Sequence, residues 1–102
     1  MSIIHLTEEN FDQTMQSGLP VLIDFWAVWC MPCTMFSPIM EDAAKELEGR
    51  AIVAKLNIDE HPSLAQRFHV SSIPTVVVVK DGKEVNRSVG LVPLNKVLAL
   101  AE

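Results

Sequence analysis

Two cysteines, Cys30 and Cys33, stand between a strand pattern and a helix pattern, and this junction constrains the fold more than any other feature. Residues 21–27 are apolar on both faces except at Asp24, which is typical of a strand buried on both sides. Apolar residues recur at three- and four-residue intervals over residues 36–47, which predicts an amphipathic helix. Because two residues separate the cysteines, one helical turn brings both sulfurs within disulfide reach.

A Cys-x-x-Cys pair at such a junction is typical of dithiol redox chemistry, but other sites share the spacing. Zinc sites and iron–sulfur clusters need four ligands, whereas no second cysteine pair exists and His5, His61 and His69 lack zinc-ligand spacing. A c-type haem site needs His after Cys33, where Thr34 stands. A purely structural disulfide across so short a loop adds only roughly 2 kcal/mol. We therefore favour a redox-active dithiol over inert cysteines and expect no metal and no bound cofactor.

Strand and helix patterns alternate along the chain. Strands are predicted at 3–6, 21–27, 51–58, 74–80 and 84–89, with helices after Thr7, after the cysteines, at 62–68 and from Pro93. Helical crossovers join parallel strands, and the Asp81-Gly82 turn joins an antiparallel pair, so the order β-α-β-α-β-α-β-β-α predicts an α/β fold with a mixed sheet between helices. At 102 residues without linkers or repeats, we expect a single domain spanning residues 1–102.

Charge and hydropathy exclude several classes of partner. The net charge of −5 repels nucleic acid and anionic membranes, so neither is expected as a partner. No apolar run approaches the roughly 20 residues needed to span a bilayer. The first residues lack the basic start and apolar stretch of a signal peptide, and a cysteine pair suits transient use in a reducing compartment. We expect a cytoplasmic monomer.

The predicted position of the cysteines assigns each a role in disulfide exchange. Cys30 stands at the start of the helix, where free backbone N–H groups and the helix dipole stabilise the attacking thiolate. Cys33 lies one turn inside and is expected to be better shielded, so it attacks second. Pro32 suits the first helical turn and stiffens the loop.

Two charged residues interrupt apolar strands. Asp24 has no polar face to point towards, so we expect it to be buried, with its pKa raised by desolvation so that it can carry a proton. Lys55 stands similarly in the next apolar strand and is its candidate charge partner. Of the two tryptophans, Trp26 is expected in the core and Trp29 at the rim of the site. Methionines other than Met31 are interpreted as core residues.

With these residues together, the chain resembles the thioredoxin family from about Phe11 to its end. The resemblance rests on residues that are highly specific as a set: Asp24-Phe25-Trp26-Ala27, Trp29-Cys30, Pro32-Cys33, Pro38, Lys55, Asp59, Ile73-Pro74-Thr75, Gly82 and Gly90. It implies a thioredoxin fold, with a mixed five-stranded central sheet flanked by four helices. It also implies that Cys30 is the nucleophile, that Cys33 is the resolving thiol, and that Asp24 and Lys55 tune the proton taken from Cys33.

The resemblance further implies a docking surface and partners. The Ile73-Pro74 bond is expected to be cis, with the backbone beside it pairing with a client peptide as an added strand. The substrate-binding residues would be Trp29, Met31, Pro32, Ile73, Pro74, Val89, Gly90 and Leu91. Expected partners are client proteins with disulfides and a thioredoxin reductase, either a flavoprotein supplied by NADPH or a ferredoxin-linked enzyme.

The chain departs from the family pattern at three places near the dithiol. Met31 replaces the usual glycine, and we expect its flexible apolar side chain to change partner choice and reduction potential. Thr34 replaces a usual basic residue, which predicts slower docking with acidic partners and a less acidic Cys30. Ser71-Ser72 also differs, in a loop expected to contact the reductase.

The function predicted from these features is a protein-disulfide reductase, or dithiol electron carrier, acting through Cys30 and Cys33. A thiol oxidase or disulfide isomerase of the same fold is one alternative, although such relatives usually carry His where Pro32 stands. A non-catalytic binding module is the other.

Overall fold

The structure, a computed structural model, describes residues 3–102, in which five strands form one mixed sheet covered by four helices. Met1 and Ser2, which the predicted domain includes, lie outside the described residues. In chain order the elements are β1 (Ile4–His5), α1 (Phe11–Met15), β2 (Val21–Trp26), α2 (Met31–Glu46), β3 (Ile52–Asn57), α3 (Pro62–Arg67), β4 (Thr75–Lys80), β5 (Lys83–Val89) and α4 (Leu94–Leu100). The predicted α/β fold, with five strands and four helices, is confirmed.

The strand order β1-β3-β2-β4-β5 places β2 at the centre of the sheet. Both β1 and β2 run parallel to β3, while β4 runs antiparallel to β2 and to β5. The hairpin turn at Asp81-Gly82 predicted the β4–β5 pair, but the order of elements alone did not specify that β4 would lie beside β2. In the β2–β3 register Asp24 stands opposite Lys55.

The sheet has a separate apolar core on each face. Phe36 and Met40 of α2 and Val97 of α4 pack on one face with Leu22. Phe11 of α1 and the side chains of α3 pack on the other, with the alternate residues of β2 and β4. Residues 21–25 of β2 are all buried, which confirms the prediction of a central strand covered on both sides. This packing fixes the carboxyl end of β2, from which the cysteine segment continues.

The strand β1 and the helix α1 are shorter than their sequence patterns predicted, and β1 spans only Ile4–His5 of the predicted residues 3–6. Thr7 was predicted to begin a helix, but α1 starts at Phe11 and the residue before it is Asn10. The Thr7 N–H donates to Asn10 Oδ1 at 2.8 Å, and the Asn10 N–H donates to Thr7 Oγ1 at 3.3 Å. These reciprocal bonds close a turn over residues 7–10, so Thr7 caps that turn and the regular helix begins one turn later than predicted. Within residues 3–102, no helix is both long and apolar enough to cross a membrane.

Candidate functional site

The two cysteines lie at the junction of β2 and α2. After β2 ends at Trp26, the Cys30 N–H donates to the carbonyl of Ala27 at 3.2 Å and closes a tight loop. Cys30 is extended, with φ −93° and ψ 106°, and occupies the N-cap position of α2. Its Sγ accepts a hydrogen bond from the Cys33 N–H at 3.2 Å, so the sulfur takes the place of a capping oxygen. Pro32 lies in the first turn of α2, as predicted.

Cys30 and Cys33 are joined in a disulfide, with their Cα atoms 5.2 Å apart. Only 5% of Cys30 and 4% of Cys33 is exposed. Cys33 was predicted to be the better shielded of the two, but in the disulfide form the two residues are almost equally buried, so burial does not distinguish them. What distinguishes them is helix position, since the N-cap sulfur receives a backbone N–H.

The loop before β4 covers the dithiol from the opposite side. The Ile73–Pro74 peptide bond is cis, as the resemblance implied. The carbonyl of Ile73 lies 3.9 Å from Cys30 Sγ, and the Ile73 side chain packs against the cysteines. The Gly90 N–H donates to the carbonyl of Pro74 at 2.8 Å, which ties the end of β5 to the same loop. Residues far apart in the chain thus meet around one sulfur pair.

We use the term apolar rim for the apolar residues predicted to line the disulfide: Trp29, Met31, Ile73, Val89 and Leu91. Trp29 is 67% exposed, Met31 70% and Val89 59%, which is far more than apolar side chains of a core show. The other predicted docking residues are neighbours of rim residues in the sequence: Pro32 follows Met31, Pro74 follows Ile73, and Gly90 stands between Val89 and Leu91.

Two residues beside the rim were not predicted as part of the site. Met35, interpreted from the sequence as a core residue, is 60% exposed one helical turn after Met31, so that interpretation was wrong. Its spacing from Met31 could have indicated a shared helix face. Asp59 accepts a hydrogen bond from the indole N–H of Trp29 at 2.8 Å. Thirty positions separate these two residues, so no local pattern indicates the contact.

Asp24 is buried in the middle of β2, with 1% of its surface exposed, as predicted. Burial raises the pKa of the Asp24 carboxyl from 3.8 to about 7, and the positive charge of Lys55 opposes the rise. Among residues 3–102 no hydrogen-bond donor contacts its Oδ1. The carboxyl is therefore a buried group that exchanges a proton near neutral pH.

Lys55 influences Asp24 through its charge rather than by contact. The two residues are register neighbours, but no ion pair joins them in the described part of the chain. The Lys55 Nζ instead donates to Ser37 Oγ at 3.3 Å and lies 4.7 Å from the centre of the Trp26 ring. Trp26 is partly buried and packs beside the cysteines, so it serves the site as well as the core.

A model of the thioredoxin family matches residues 2–102. The chain belongs to the thioredoxin family. It is 48% identical over 93 residues to a thioredoxin of Staphylococcus haemolyticus, covering 91% of this chain and 88% of that protein. It is 45% identical over 102 residues to a thioredoxin of Staphylococcus saprophyticus, covering 100% and 97%, and 46% identical over 93 residues to a Staphylococcus aureus thioredoxin, covering 91% and 88%.

Family membership together with the paired cysteines identifies the chain as a dithiol redox carrier. The thioredoxin fold and the Cys-x-x-Cys centre were both predicted from the sequence and are confirmed. As a family, thioredoxins act on client proteins with disulfides and are served by thioredoxin reductases.

Proposed function

We propose that this thioredoxin-family protein is a protein-disulfide reductase in which Cys30 is the nucleophile and Cys33 the resolving thiol. The observation that carries the assignment is the hydrogen bond from the Cys33 N–H to Cys30 Sγ at the N-cap of α2. A backbone donor and the positive end of a 16-residue helix both favour a negative sulfur at this position. A thiolate at Cys30 is therefore stabilised more than one at Cys33.

The reaction proceeds through two exchanges of one disulfide bond. The Cys30 thiolate attacks one sulfur of the client disulfide, forming a mixed disulfide and releasing the other client sulfur as a thiolate. The deprotonated Cys33 then attacks Cys30 Sγ, which forms the Cys30–Cys33 bond and releases the second client thiolate. Two electrons pass from the dithiol to the client, and the client thiolates take up two protons.

Asp24 and Lys55 control the proton that Cys33 must lose. A carboxylate with a pKa of about 7 accepts a proton at neutral pH and gives it back after the exchange. Lys55, placed opposite Asp24 and held by Ser37, keeps that carboxyl from becoming a much weaker acid. Asp24 thus acts as proton acceptor for Cys33, and Lys55 tunes its pKa.

Client proteins dock on the apolar rim rather than in a cleft. The exposed side chains of Trp29, Met31, Val89 and Leu91 offer a shallow surface to a client segment. The backbone beside cis-Pro74 pairs with the client as an added strand, with Pro32 and Gly90 completing the surface.

We further propose the setting in which the protein works. Residues 1–102 act as one domain and as a monomer in the cytoplasm. Electrons come from a thioredoxin reductase, either the NADPH-supplied flavoprotein or the ferredoxin-linked type, and no resident metal or cofactor takes part. The net charge of −5 disfavours nucleic acid and anionic membranes as partners.

The proposal is tested by insulin reduction with dithiothreitol as electron donor, then with NADPH and candidate reductases. We expect the wild type to accelerate insulin precipitation and Cys30→Ser to be inactive. A reduction potential of about −270 mV or below supports a reductant, whereas about −120 mV indicates an oxidase. Unchanged client binding by a Cys30→Ser, Cys33→Ser double variant, together with an inactive wild type, would support a binding module instead.

A further inference from the structure

Two methionines are largely exposed beside the dithiol, whereas another is fully buried. Met31 is 70% exposed and Met35 60%, while Met40 in the same helix is completely buried. Met35 lies four positions after Met31 in the chain, so their side chains lie on one face of α2, about 6 Å apart along the axis. The exposed thioethers are therefore concentrated where a client is proposed to dock.

The disulfide form makes these thioethers the accessible sulfurs of the site. Cys30 and Cys33 are bonded to each other and only 5% and 4% exposed, so they present no thiolate to an oxidant. Oxidising conditions favour this form, because they drive the dithiol to the disulfide. An oxidant that reaches the site then meets Met31 and Met35 first.

We propose that Met31 and Met35 are a hydroperoxide-reactive modification site whose oxidation weakens client docking without disabling the dithiol. In the reaction a thioether sulfur attacks the distal peroxide oxygen, the O–O bond breaks, and a sulfoxide forms. The thioether loses two electrons and the hydroperoxide is reduced to water or to an alcohol. The inference rests on the proposed function, because it modifies the surface on which clients are proposed to dock.

Oxidation makes the surface at Met31 and Met35 polar, where clients are proposed to dock. Methionine sulfoxide is a polar side chain in place of a flexible apolar one, and a client's apolar segment offers its oxygen no hydrogen-bond donor. We expect the specificity constant for a protein client to fall roughly tenfold, the loss that one unpartnered polar group in an apolar contact produces. A small aromatic disulfide that needs no rim contact should react with the reduced protein at an unchanged rate.

The first experiment maps the modification. The disulfide form is treated with hydrogen peroxide, digested and analysed by mass spectrometry at several times. We expect Met31 and Met35 to gain one oxygen atom each well before Met40 does. Oxidation of Met40 at the same rate as the other two would overturn the proposal, as would resistance of Met31 and Met35.

The second experiment measures the consequence for activity in the 102-residue chain. After peroxide treatment and reduction of the disulfide with dithiothreitol, insulin reduction is compared with reduction of dithiobis(nitrobenzoate), each normalised to the same variant before treatment. The wild type and a Met15→Leu control should lose insulin activity but not the small-disulfide reaction. A Met31→Leu, Met35→Leu double variant should keep the same fraction of both activities, since leucine matches methionine in size and cannot form a sulfoxide.

The outcomes separate this inference from the proposed function. If untreated protein does not reduce insulin, the proposed function itself fails. If untreated protein is active and treated wild type keeps its insulin activity, only the modification site is refuted. A double variant that loses as much insulin activity as the wild type would likewise refute it.

Discussion

Replacement of Asp24 by asparagine should stabilise the protein at alkaline pH and change it little in acid. Folding raises the pKa of this carboxyl from an ordinary 3.8 to about 7, so the unfolded chain gives up its proton first as the pH rises. Below pH 4 the carboxyl is protonated in both states and has no effect. Between pH 4 and 7 the wild type loses about 1.4 kcal/mol per pH unit, reaching about 4 kcal/mol above pH 7.

Urea unfolding of the disulfide form at pH 4 and pH 8.5 measures this effect. An asparagine side chain resembles the protonated carboxyl in shape and cannot ionise, so Asp24→Asn should be more stable than wild type by up to about 4 kcal/mol at pH 8.5, with most of that difference gone at pH 4. Asp42→Asn, at an exposed position of α2, serves as the matched control and should show no comparable change. A stability difference for Asp24→Asn that is the same at both pH values would show that folding does not raise the pKa of Asp24.

Three further predictions concern the core and the rim. Phe36→Ala, at a completely buried position, should lower the free energy of unfolding by about 3–5 kcal/mol. The control Met35→Ala, at an exposed position, should change it by less than about 0.5 kcal/mol. Equal losses for the two variants in urea titrations would contradict the packing described. Asp59→Ala removes the acceptor of the Trp29 indole, so the Trp29 N–H resonance should move upfield while that of Trp26 stays in place; an unmoved Trp29 signal would show that the hydrogen bond is absent in solution. Met31→Gly should shift both the reduction potential and the rates with protein clients. Identical values for the variant and the wild type would show that Met31 affects neither property.

The sequence predicted those parts of the site that depend on local patterns. The apolar strand around Asp24 predicted its burial, because no polar face was left for it to occupy. The strand pattern that ends at residue 27 and the helix pattern over residues 36–47 placed the cysteines at a helix start, because they lie between the two. Met35 could have been recognised by its helical spacing from Met31, yet hydrophobicity alone favoured the core.

Features that depend on distant segments could not be predicted from local patterns. The contact between Ile73 and Cys30 and the cis bond at Pro74 followed only from the family resemblance, because they depend on how β4 lies beside β2. The position of Lys55 Nζ near Ser37, away from an ion pair with Asp24, depends on how α2 packs against β3. The nearly equal burial of the two cysteines depends in part on Ile73, which packs against them from a distant segment of the chain.

In the proposed reaction Cys30, and not Cys33, attacks the client. The most direct measurement is to trap the mixed disulfide by incubating Cys33→Ser with a disulfide-containing client and to compare it with Cys30→Ser under the same conditions, using mass spectrometry to identify the linked residue. We predict a stable complex joined through Cys30 in the Cys33→Ser protein and almost none with Cys30→Ser. Equal trapping through Cys33 in the Cys30→Ser protein would show that Cys30 is not the specific nucleophile.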